Sequence, residues 1–194
     1  MGHSRADKQA THGRIVAIAA QRFREVGIEG ISVADIMTEA GLTVGGFYKH
    51  FASRDELVAQ AMALALDDLE GWTDIAQRDL REAIRAYLCD AHRDLPASGC
   101  ALAALANDVS RSGAAVREVY TSGLKRVVDI VERALPATKT GNRRTQALTL
   151  LSACVGALTL SRAVTDEALS RQILDNVADE LIAAFALTRS RAAS

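Results

Sequence analysis

The stretch Thr43-Val-Gly-Gly-Phe-Tyr-Lys-His-Phe51, followed one residue later by Ser53-Arg-Asp-Glu-Leu57, decides how the chain reads. Ser32 is a good N-cap for a short helix over Val33–Ala40, and Gly41 breaks that pattern. Thr43 can cap a further short helix that ends near Phe51. Two short helices joined through a tight turn with a glycine form a helix-turn-helix. Ile36, Ala40, Leu42, Phe47 and Phe51 are the apolar positions that lock the pair, and Phe47 and Phe51, four apart, share one inward face. The opposite face carries Thr43, Val44, Gly46, Lys49 and His50, with Tyr48 at its edge, and Gly45 precedes Gly46. Adjacent glycines in a helix interior cost about 1 kcal/mol each. Folding gives no reason for them, whereas close approach to another surface does. Thr43, Tyr48 and Lys49 can reach phosphate oxygens, and Val44 and Gly46 are placed for base edges. Arg54, at the start of the next helix, offers a further phosphate site, and Arg5, Lys8 and Arg14 can touch the flanking backbone. Spacing alone leaves two readings open: a DNA-reading surface, or an ordinary helical pair with a solvated charged face.

Outward from this stretch the periodicity is helical almost throughout. Ile15, Ile18, Ala19, Arg22, Phe23 and Val26 put one face on a first helix from about Ala10, stopped by Gly27. Ser53 and Glu56 form a capping box that opens a long helix through Leu57, Val58, Ala61 and Leu64. The pattern lapses around Gly71–Asp74, and a fifth helix runs on to about Leu95, before the breaker Pro96-Ala-Ser-Gly99. Helices follow from Cys100 to Arg111 and from Ala114 to Leu135, where Pro136 stops the second. After a polar loop over 137–142, two last helices cover about Arg143–Val164 and Glu167–Leu187. The expectation is an all-α chain of about nine helices. A three-helix DNA-binding domain takes residues 8–52, and a helical ligand-binding and dimerisation domain takes 53–190.

The penultimate helix is apolar nearly all round, through Leu148, Leu150, Leu151, Cys154, Val155, Leu158 and Leu160. Such a helix must be covered on both sides. A second subunit is the simplest cover, and plain burial in the core is the alternative. The last helix adds Leu169, Ile173, Leu174, Val177, Leu181, Ile182 and Phe185 at helical spacing.

Composition narrows the class. The chain has 194 residues, 49% of them hydrophobic and only 4% aromatic, with two prolines. That balance favours helices and gives enough apolar surface for a core. A formal net charge of −1 announces no polyanion partner, although only a docking face has to be basic. An odd count of three cysteines, with no secretory signal, reads as reduced thiols in a cytoplasmic protein. The uncharged run Thr145–Ser161 is short for a membrane span and carries hydroxyls and a glycine. His3, His12, His50 and His92 make no local cluster with the cysteines, so no metal and no cofactor are expected. No GxSxG, GxxxxGK[ST] or HExxH is present, and an enzyme is not expected.

Residues 11–66 resemble the DNA-binding region of the TetR family of transcriptional regulators. Phe23, Gly27, Ser32-Val33, Ile36, Ala40-Gly41-Leu42 and the run Gly45 to Phe51 carry the resemblance, with Ser53-Arg-Asp-Glu-Leu57 behind them. Met37 and Arg54 depart from the family's usual Ala and Lys. The resemblance implies a homodimer joined through its last two helices, bound to a palindromic double-stranded operator, acting as a repressor and released by a small-molecule effector. It places Ser32, Thr43, Val44, Gly45, Gly46, Tyr48, Lys49, His50 and Arg54 at the DNA. It also implies an effector pocket in the helices that follow, where Trp72, Tyr87, Cys100, Asn107 and Tyr120 are the aromatic or polar candidates. Cys100, at the expected N-terminus of a helix, carries a second reading as a thiol sensor of electrophiles or oxidants, because a helix dipole lowers a thiol pKa. The alternative is a small buried residue.

Overall fold

Ala and Leu dominate this chain, and all regular structure among the described residues is helical. The structure is a computed structural model, and it describes residues 5–137, 142–185 and 187. Its ten α-helices are α1 (Arg5–Val26), α2 (Val33–Glu39), α3 (Arg54–Asp67), α4 (Glu70–Arg78), α5 (Leu80–Tyr87), α6 (Asp90–Asp94), α7 (Ala101–Arg111), α8 (Ala114–Ala134), α9 (Arg143–Ala163) and α10 (Glu167–Ala184). Two 3-10 segments, Val44–Lys49 and Pro96–Ser98, complete the order.

Three expectations about boundaries change. α1 starts at Arg5, because Arg5–Gln9 are good helix formers even without an apolar stripe. The expected helix over 43–51 is a 3-10 segment, and Thr43 makes no side-chain cap bond to it. The single helix expected up to Leu95 is three pieces, and the expected lapse at 71–74 is helical. The breaks lie at Asp79 and at Leu88-Cys89, where the backbone leaves the helical region. Asp79 accepts from the Glu82 N–H at 3.1 Å, so α5 has a cap of its own. Most of the expected loop over 137–142 lies outside the described residues.

Compact packing divides the chain into two units, Met1–Asp68 with Ala97–Thr121, and Leu69–Pro96 with Ser122–Ser194. In the first unit α3, α7 and the first turns of α8 join the N-terminal helices. α1 packs on α3, and α7 touches both. Ile15, Ala19, Phe23, Leu57, Ala61, Ala65 and Leu105 are buried there. α3 is tied at both ends. At its start Ser53 accepts from the Glu56 N–H at 3.1 Å, and Glu56 reaches the Ala52 N–H at 2.7 Å, one residue earlier than a capping box predicts. At its end Asp68 takes a 2.8 Å ion pair from Arg24 of α1, a residue only 8% exposed.

In the second unit α9 packs along α10, and α4 on α5. Leu150, Leu158, Leu174 and Ala178 are buried between α9 and α10. Arg162 of α9 donates to the carbonyls of His92 (2.6 Å) and Arg93 (3.0 Å), closing the open C-terminal end of α6. No helix of the described residues is long and apolar enough to cross a membrane.

Candidate nucleic-acid interface

The helix-turn-helix is built from α2, a turn and the 3-10 segment. Gly41 takes φ +71, the left-handed conformation that the turn demands and that other residues adopt at a cost. Ile36, Ala40, Phe47 and Phe51 are at most 4% exposed. Phe47 stacks on Phe51 with ring centroids 5.3 Å apart, and His12 of α1 stacks on the other side of Phe51 at 4.5 Å. His12 is a residue that sequence reasoning missed at this site. Its spacing to Ile15 and Ala19, three and seven positions on, was the available signal.

With the apolar side locked, the other side is left outward. Tyr48 is 78% exposed, its ring edge resting on Phe47 at 5.3 Å, and Val44 is 48% exposed. Thr43, Gly45 and Lys49 are exposed too. A Cβ on Gly45 would meet nothing within 4 Å, and one on Gly46 would make only ordinary contact with Met37 at 3.6 Å. The fold itself therefore does not require either glycine. A groove separates this segment from the first turns of α1. Asp7, Lys8, Thr11, Arg14, Leu42, Thr43, Gly46, Lys49 and His50 line it, with three cationic side chains against one carboxylate. Burial first, and then His12, Lys8 and Lys49, hold the His50 imidazole below its ordinary pKa.

Two of the residues expected at the DNA also make bonds within the chain. The Ser32 hydroxyl donates to the Asp35 carboxylate at 2.6 Å and accepts from the Asp35 N–H at 3.2 Å, while the Ser32 N–H donates to the same carboxylate. These bonds hold the Asp35 carboxyl below its usual range, and Ser32 acts as the cap of α2. Arg54 donates to the carbonyls of Ile28 and Ile31 and pairs with Glu29 at 2.7 Å. Its guanidinium fastens the α1–α2 loop to the start of α3, a three-partner grip that a Lys cannot reproduce.

The effector candidates are divided between the two units. Trp72 and Tyr87 meet edge to face at 5.8 Å, with His92 on the far side of Tyr87 at 4.6 Å. The Trp72 indole N–H donates to the Ala83 carbonyl at 2.8 Å. Cys100 and Tyr120 belong to the other unit. The Tyr120 hydroxyl donates to the Leu102 carbonyl at 2.9 Å, and burial, with Cys100 beside it, pushes its pKa up to about 12. Asn107 is exposed. Cys100 is the N-cap of α7 but only 4% exposed, and this burial favours the packing role over the sensor reading.

Residues 15–61 match the model of "Bacterial regulatory proteins, tetR family". The chain carries a TetR-family DNA-binding region over those residues. The chain is 31% identical over 120 residues to the HTH-type transcriptional repressor KstR2 of Rhodococcus jostii, covering 60% of this chain and 59% of that repressor. It thus spans under two thirds of that curated relative. Among solved structures its fold matches reduced NemR of E. coli with a TM-score of 0.76 at 18% identity, over 93% of this chain and all of that one. It also matches SmeT in complex with triclosan, with a TM-score of 0.61 at 22% identity, over 91% of each chain.

Proposed function

We propose that this protein is a transcriptional repressor that binds a palindromic DNA operator as a homodimer and leaves it when a small molecule binds. One observation carries the DNA reading: a buried aromatic lock holds Thr43, Val44, Tyr48 and Lys49 outward on a short segment beside a basic groove. Such a surface can enter a major groove while its cations and hydroxyls meet phosphates. Val44, Gly45 and Gly46 face base edges in this reading, and Thr43, Tyr48, Lys49 and His50 face the backbone.

The dimer reading rests on α9. Leu148 is 47% and Leu160 58% exposed on a helix whose other face is core, and α10 adds Leu169 at 43%. The hydroxyls of Thr149 and Thr159 bond back to Thr145 and Val155 of their own helix at 3.0 and 2.9 Å. These two hydroxyls are thereby satisfied within α9, which suits an interface between copies. The release reading draws on the likeness to KstR2, a named repressor, and to SmeT, which was solved with triclosan. Trp72 and Tyr87 are the residues assigned to the effector, and the cytoplasm is the compartment such a regulator works in.

The test is binding of a fluorescent mixed-sequence duplex across a salt series. Tyr48→Ala and Lys49→Ala should each weaken binding by about tenfold with an unchanged circular dichroism spectrum. Lys49→Ala should also make the salt dependence shallower by about one charge. Unchanged affinity in both variants would remove the assignment.

A further inference from the structure

The groove beside the recognition segment has a second property, which rests on the DNA reading and extends it. Its cations come from two elements, Lys8 and Arg14 on α1 and Lys49 on the 3-10 segment, and among the described residues its one lining carboxylate is Asp7. His50 stands at the end of this row, as the C-cap of the segment. The His50 Nδ1 is buried and has no partner among the described residues. His12 lies 6.2 Å away by ring centroid, and its Nε2 is 2.6 Å from the Gln60 Oε1 of α3. Gln60 in turn donates to Glu56, so the α3 side facing the two imidazoles is an amide backed by a carboxylate.

We propose that this groove seats one phosphodiester of the DNA backbone and that His50 takes up a proton as the phosphate arrives. In the free protein an extra proton on His50 meets Lys8, Lys49 and His12, and its Nδ1 finds no acceptor among the described residues. A phosphate oxygen reverses both conditions, since it neutralises the neighbouring cations and accepts from the imidazolium. The proton balance is simple: one proton from solvent enters with the DNA and leaves with it. Linkage fixes the sign. His50 is neutral in both states at high pH and charged only in the complex at intermediate pH. Affinity therefore rises as the pH falls through the pKa of the complex, and it levels off below that of the free protein.

The test measures binding of the same mixed-sequence duplex at constant ionic strength from about pH 8 to about pH 6. Wild type should bind about three- to tenfold more tightly at the acid end, and His50→Gln should be flat across the series. Histidine-selective NMR supplies a second readout on the unaltered chain, which has only four imidazoles. The His50 midpoint should move up on adding duplex. A slope that persists in His50→Gln, or a midpoint that duplex leaves in place, overturns the proposal. If inorganic phosphate moves that midpoint and duplex does not, the groove is a free-anion site and the proposal fails. If wild type binds no duplex at any pH, this inference and the DNA reading fall together. If it binds without pH dependence, only the inference falls.

Discussion

The recognition segment and α9 both leave side chains uncovered by the rest of the chain, and they do so with opposite chemistry. From Thr43 to Lys49 the uncovered side chains are two hydroxyls, a lysine and a single valine, beside a groove with more cations than carboxylates. Along α9 they are Leu148 and Leu160, with hydroxyls turned back into their own helix. The first face suits a hydrated polyanion, and the second suits a dry copy of itself. Burial alone does not distinguish them, because Tyr48 is more exposed than either leucine. The difference lies in what each face still lacks: counter-charge in one case and apolar cover in the other.

Substitutions can break this contrast. The largest effect is expected from Leu148→Glu with Leu160→Glu. Buried, unpaired charges at a subunit interface should cost about 4 kcal/mol or more, so sedimentation should show monomers at micromolar concentration. If the variant still sediments as a dimer, α9 is not the interface. Arg54→Ala comes next. It leaves the carbonyls of Ile28 and Ile31 and the Glu29 carboxylate without their donor, and chemical denaturation should show a loss of about 2 kcal/mol. Arg54→Lys should recover less than half of that, whereas an arginine that served only as a phosphate contact would leave stability unchanged. Gly45→Ala sharpens the other side of the contrast. The site is open to a methyl group, so the thermal midpoint should stay within about 2 °C while duplex affinity falls about threefold.

The smallest effect concerns pH. Burial holds His92 below its ordinary 6.5, with Arg162 nearby adding to the effect, although the bond to the Tyr87 carbonyl opposes it. The unfolded chain then binds a proton near pH 6.5 that the folded chain refuses, so stability falls as the pH drops below 6.5. Thermal melts at about pH 7.5 and about pH 5.5 should show a drop that is about 1–3 °C smaller in His92→Gln than in wild type. An equal drop in both would remove His92 from the acid response.

The N-terminal third was legible because several local signals agree there. Ser32 caps, Gly41 turns, and Phe47 and Phe51 repeat at helical spacing, each pointing to the same geometry. Residues 68–95 were less legible. Their apolar period continues across two breaks, and the one cue, Asp79 followed three residues later by Glu82, is short. The structural grip of Arg54 was not legible for a different reason. Its partners are the carbonyls of Ile28 and Ile31, and a backbone acceptor leaves no mark in a side-chain pattern. The groove joins residues 7–14 to residues 42–50, and no spacing rule links positions so far apart. The wrap of α9 could be read as apolar, but which of its leucines face α10 depends on rotation about the helix axis, which the leucines around its whole circumference leave undetermined.

The two fastenings of α3 also bear on how the molecule opens. Arg54 holds its first turn to the α1–α2 loop, and Arg24 holds its last residue to α1. Neither end can fray without breaking a bond to another element. Amide protons along α1 and α3 should therefore exchange with solvent on a single timescale, as one cooperative unit. An isolated three-helix fragment ending at residue 52 would lack both anchors, and its amides would lose that shared protection.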